Sequence, residues 1–177
     1  MLMEESARIG RESEKPIFLL GAHKSGTTLL RSLFDAHPDL FVVPKEIHFF
    51  QHSGCWIDYA IRRQVPYHVS QAMWIEQLTK MLIEYNTKQV KHADNPTIGA
   101  WDTDIFRQSL AGMSLETPSN RIRAVFAALH LSLYGQPLGD DKRIVEKSVE
   151  NAEFALDLAD LYPNATFIHI VRNPYAN

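Results

Sequence analysis

The chain has 177 residues and a formal net charge of −3, which fits one domain with a sizeable core and argues against generic nucleic-acid binding, so an anionic ligand must be held locally. Its one cysteine, Cys55, excludes an internal disulfide framework and a cysteine-built zinc site. Residues 1–15 form a polar tail without the apolar centre of a signal peptide, and no run approaches the roughly 18 apolar residues of a membrane span. The expected compartment is therefore the cytoplasm, with neither a membrane nor a nucleic acid as partner.

From Pro16 onward the chain reads as a single α/β domain over 16–177. Pro16 to Leu20 is a short apolar run ended by Gly21, which suits a strand buried on both faces of a parallel sheet. Gly21, Ala22, His23, Lys24, Ser25, Gly26, Thr27 and Thr28 follow as a loop. Leu29, Leu30, Leu33 and Phe34 then recur at helical spacing. A strand, a glycine-bounded loop and a helix start in that order aim backbone N–H groups at one point, a site for phosphate or sulfate. The nucleotide triphosphatase spelling is absent, because Gly26 is followed by Thr27 and the lysine stands two positions before it.

His37, Pro38 and Asp39 break the helix. Leu40 to Val43 is a second short strand, stopped by Pro44 and followed by Lys45, Glu46, Ile47, His48, Phe49 and Phe50. In an open parallel sheet, ligands sit at the carboxyl ends of the strands, so this cluster and the Gly21 loop can flank one crevice. Gln51 to Gly139 is mostly helical. Trp74, Leu78, Met81, Leu82 and Tyr85 form one stripe after a cap at Ser70, and Ile122, Val125, Phe126, Leu129 and Leu133 form another after Ser119. Both stripes read as core. Lys91 to Ala100 and Gly112 to Asn120 read as loops.

Arg143 to Lys147 reads as a strand with a charged end, Asn151 to Tyr162 as a helix stopped by Pro163, and Thr166 to Val171 as a buried strand leading into Arg172, Asn173 and Pro174. Strand exits thus present Lys24, Lys45 with Glu46, and Arg172, which suits a ligand with two separated anionic groups.

Three segments then resemble, in order, those of the sulfotransferases that use 3′-phosphoadenosine 5′-phosphosulfate. PIFLLGAHKSGTTLLRSLF resembles the 5′-phosphosulfate loop, PKEIHFF the segment of heparan-type and related bacterial enzymes, and VEKSVENAEFALDLADLYPNATFIHIVRNP the stretch ending in the 3′-phosphate arginine. The resemblance implies a P-loop-type parallel β-sheet flanked by helices, a three-layer α/β/α architecture. It implies that a sulfuryl group passes from that donor to a hydroxyl or amine of an acceptor, a carbohydrate or other small molecule. It also implies no required metal.

By the same resemblance, Gly21, His23, Lys24, Ser25, Gly26, Thr27 and Thr28 hold the 5′-phosphate, with Lys24 neutralising the departing oxygen and His23 shaping the loop. Arg172 holds the 3′-phosphate. Glu46 is the expected general base and His48 its rival; Lys45 and Lys147 are expected on the acceptor side, and Phe49 and Phe50 in the core. The family pattern continues past Arg172 into further helices, whereas this sequence stops at Asn177. The domain is accordingly expected to be incomplete at its C-terminus, with a second chain or self-association covering the sheet. Two alternatives stay open: a donor-binding fragment or subunit without turnover, and a P-loop kinase or triphosphatase.

Overall fold

The computed structural model describes residues 14–52, 70–89 and 101–173. Cys55, the expected loop from Lys91 to Ala100 and nearly all of the N-terminal tail lie outside the described residues. The chain divides into two compact units, Met1–Ile47 with Leu138–Asn177, and His48–Pro137.

The first unit is built on short apolar runs that become parallel strands. They are β1 (Ile17–Leu20), β2 (Leu40–Val42), β3 (Arg143–Glu146) and β4 (Thr166–His169), in the order β2-β3-β1-β4 among the described residues. β1 pairs on both sides: Ile17 stands opposite Val145 of β3 and opposite Thr166 of β4, while Leu40 of β2 stands opposite Arg143. Strand β1 is therefore buried throughout, as its unbroken apolar run requires. Ile17, Leu19 and Val145 form a core cluster against which Leu30, Phe34 and Ile168 pack. On another part of β1, Phe18 meets the rings of Tyr162 and Phe167 at 5.9 and 5.6 Å between centroids.

Helices join the strands, as the resemblance implied. Helix α1 (Thr27–Ser32) follows β1 and α6 (Ala155–Leu161) precedes β4. The described residues thus form a parallel sheet flanked by helices, an α/β fold. Three details differ from the sequence reading. Leu30 and Phe34 pack on the core, yet Leu29 and Leu33 are 70% and 75% exposed, because so short a helix turns only one flank to the sheet. Strand β4 is half open to solvent rather than buried, since among the described residues it is hydrogen-bonded only to β1. The expected helix from Asn151 is split into a 3₁₀ turn (Val149–Ala152) and α6. The Asn151 side chain donates there to the Glu146 carboxylate at the end of β3.

The second unit is helical: α2 (Phe49–His52), α3 (Gln71–Gln89), α4 (Thr103–Ala111) and α5 (Pro118–Tyr134). Caps start the longer helices. Ser70 Oγ accepts the Met73 N–H at 3.2 Å, Asp102 Oδ1 accepts those of Asp104 and Ile105, both at 2.9 Å, and Thr117 Oγ1 accepts that of Asn120 at 3.2 Å. Thr117, not Ser119, is thus the cap of α5, with Pro118 in the first turn where a missing N–H costs nothing. Trp74, Leu78 and Leu82 of α3, Phe106 and Leu110 of α4, and Ile122, Val125, Phe126 and Leu129 of α5 are buried, as are Phe49, whose ring meets Trp74, and Phe50, whose ring meets Phe49. No described helix is long and apolar enough to cross a membrane.

Leu19 is wholly buried at the centre of the sheet. Leu19→Ala should cost about 2–5 kcal/mol of stability, read as a lowered denaturant midpoint at unchanged slope.

Candidate active site

Strand order decides where a ligand can sit in the first unit. From β1 the chain leaves toward β2, past β3; from β3 it leaves toward β4, past β1. Adjacent strands that send their connections in opposite directions open a crevice at their carboxyl ends. The Lys24 loop leaves β1 at that edge, and Lys147 leaves β3 beside it.

The loop is held by close packing. A Cβ on Gly21 would lie 2.6 Å from Ser25 Oγ, 2.8 Å from Thr27 Cγ2 and 2.9 Å from Ile170 Cγ2, so only glycine fits. Ala22 accepts the Ser25 N–H at 3.1 Å, closing a turn, and Gly26 takes φ 105°, open to glycine alone, before α1 begins at Thr27. Lys24 is a non-glycine residue at φ 65°, a conformation that costs on the order of 1 kcal/mol and is commonly stored at ligand sites. Its side chain is exposed, as are those of His23 and Thr28, while Thr27 is buried. Ser25 Oγ is shut off from solvent and has no hydrogen-bond partner. An orphaned hydroxyl under a loop too tight for any Cβ is the kind of group that an oxyanion relieves.

Ile170 ties this loop to β4. Its amide donates to Leu20 O at 3.0 Å, and its side chain lies under Gly21 and Gly26. Two residues on, Arg172 Nη1 donates to the Lys24 carbonyl at 3.4 Å. Residues 148 positions apart, expected at opposite ends of one ligand, are thereby brought to one edge.

Beside the loop lies a buried charge cluster. The main chain continues past β2 along β3, with Val43 N–H donating to Val145 O at 2.9 Å and Ile47 N–H to Ser148 Oγ at 3.0 Å. Between these bonds Lys45 and Glu46 are buried, and Lys147 Nζ donates to Glu46 Oε1 in an ion pair. Arg31 of α1 donates to Pro44 O at 2.6 Å, bringing a guanidinium to the same segment. Burial first and the Arg31 charge second hold Lys147 down at about 8, against the upward pull of Glu150. Glu46, its direct partner, acts in that upward sense too, but the loss of hydration sets the direction. Lys45 is also lowered to about 8, by burial and then by Arg31. Its Nζ has no hydrogen-bond partner, although the residue is only 7% exposed.

Lys24, Glu46, Lys45, Lys147 and Arg172 thus belong to one unit. His48, the rival base, falls in the other unit and takes φ 49°. Sequence reasoning passed over Arg31 and the buried polar group of Glu146, Ser148 and Asn151. The motif holding Lys147 also contains Ser148, but nothing in residue spacing shows that a hydroxyl there bonds a main chain 101 residues away.

The sequence model of the sulfotransferase family matches residues 16–177, and the chain belongs to that family. Among solved structures it is similar to a sulfotransferase from Mycobacterium tuberculosis, at 20% identity and a TM-score of 0.38 over 96% of this chain. The chain spans 48% of the length of that protein. No curated protein matches it.

An ammonium buried without a partner costs stability, the full cost being present below the folded pKa of about 8 and relieved as pH rises toward 10.5, where the unfolded side chain titrates. Lys45→Met should therefore raise the unfolding midpoint at pH 7, by about 1 kcal/mol or more. The gain should shrink between pH 8 and 10.5, as denaturant curves at several pH values would record.

Proposed function

We propose that the chain carries the donor site and general base of a sulfotransferase that uses 3′-phosphoadenosine 5′-phosphosulfate and acts on a hydroxyl or amine of a carbohydrate or other small acceptor. The observation that carries this reading is the approach of Arg172 to the main chain of Lys24, within a chain that belongs to the sulfotransferase family. It suits a donor with anionic groups at both ends. The orphaned Ser25 hydroxyl beneath Gly21 fits an oxyanion at one of them.

The donor supplies an activated sulfuryl group whose bond to the 5′-phosphate oxygen breaks as a bond from sulfur to the acceptor forms. Lys24 and the loop amides neutralise the charge left on that phosphate, and the hydroxyls of Ser25, Thr27 and Thr28 complete the cradle. Arg172 holds the 3′-phosphate, the group that distinguishes this donor from common nucleotides. Glu46, an ionised carboxylate in its pair with Lys147 and so an acceptor only, receives the acceptor proton. Lys147 then stabilises the charge that moves through the site, and Lys45 offers a second cation to an anionic group on the acceptor side. Burial of Glu46, Lys45 and Lys147 strengthens the interactions among them, since the effective dielectric there is low.

Glu46→Gln should reduce transfer by about 10²–10⁴-fold while leaving the affinity for 3′-phosphoadenosine 5′-phosphate within about twofold. Transfer at the parental rate would sink the assignment, and tight binding of that product by the parental chain without any transfer would favour a donor-binding role. Arg172→Ala should erase most of the preference for 3′-phosphoadenosine 5′-phosphate over adenosine 5′-phosphate, worth roughly tenfold or more for a charge-assisted contact, as calorimetric titration with both nucleotides would read.

A further inference from the structure

We infer that Glu146, Ser148 and Asn151 are positioning residues that fix the main chain of Glu46, a role that rests on Glu46 being the base. Glu146, the last residue of β3, is 3% exposed. Its carboxylate accepts from Ser148 Oγ at 2.5 Å through one oxygen and from Asn151 Nδ2 through the other. A buried carboxylate only accepts, so the single proton of the Ser148 hydroxyl is committed to it. The lone pairs of that hydroxyl are left to face the Ile47 N–H, which donates to them at 3.0 Å. An O–H already polarised by a carboxylate is also a stronger acceptor.

The Ile47 nitrogen belongs to the peptide that follows the Glu46 Cα. Bonding it fixes the Glu46 main chain from one side, and Arg31, through the Pro44 carbonyl, fixes the preceding turn from the other. Side-chain alternation completes the device: Glu146 and Ser148 turn toward each other, and the intervening Lys147 reaches the Glu46 carboxylate. One short turn at the end of β3 therefore supplies both the main-chain anchor and the ion-pair partner of the base. Asn151, within the 3₁₀ turn, donates to the Glu146 oxygen that Ser148 does not use.

Ser148→Ala should slow kcat by about 10- to 100-fold, the cost of a small displacement of a reacting group, with donor KM within about twofold. It should also speed amide exchange at Ile47 by about tenfold or more while leaving exchange in β1 unchanged. In a Glu46→Gln background the same change should alter transfer less than twofold, because the relay acts through Glu46. An equal loss from Ser148→Ala in both backgrounds, or unchanged exchange at Ile47, overturns the relay and leaves the base assignment standing. Parental transfer by Glu46→Gln alone overturns the base assignment and the relay with it.

Discussion

The pairing that lays the extension of β2 along the end of β3 is the constraint on which the ion pair between Glu46 and Lys147, and the charges around it, depend. Taking a carboxylate and an ammonium out of water costs several kcal/mol for each ion, about what their attraction returns, so the pair holds only where geometry is imposed on it. That geometry comes from two main-chain segments far apart in sequence, laid side by side as the extension of β2 and the end of β3. Hydrogen bonds at Val43 and Ile47 set the spacing, and the ion pair lies between them. The charges do not assemble this edge of the sheet. The sheet assembles the charges.

Burial first, and the charge of Arg31 second, hold both Lys45 and Lys147 well below the ordinary lysine range. Arg31, Lys45 and Lys147 bring positive charge to the carboxyl ends of parallel strands, where it offsets the buried carboxylates of Glu46, Glu146 and Glu150. In the loop after β1, Gly21 and Gly26 let the chain fold tightly over Ile170, leaving the Ser25 hydroxyl orphaned and Lys24 in a strained conformation. Ile170 matters twice, since it packs under the loop and lies two residues before Arg172.

Much of this was legible in the sequence where chemistry is local. The apolar run at β1, the glycines around Lys24 and the Pro44 stop each act within a few residues, so their composition announces them. The caps at Ser70 and the stripes on α3 and α5 were legible for the same reason, although Thr117 displaced Ser119 because Pro118 favours the first helical position. Exposure was harder to read. Leu29 and Leu33 share a helix with Leu30 and Phe34, yet which flank meets the sheet depends on the direction in which a short helix crosses it. Thr166 to Val171 is apolar enough for a central strand, but its place at an edge of the described sheet comes from strand order.

By itself, the sequence determined the elements and the residue types available to the site: a tight glycine loop bearing Lys24, a carboxylate and a lysine beyond β2, and an arginine after β4. Those properties follow from bonding between near neighbours along the chain. Tertiary structure alone decided that Arg172 meets Lys24, that Lys147 pairs with Glu46, and that Ser148, bonded to Glu146, accepts the amide that follows Glu46. Each of these contacts spans more than a hundred residues or depends on one that does, and is created by the order β2-β3-β1-β4. Only packing fixes that order, because parallel pairing joins segments whose contact no local pattern encodes.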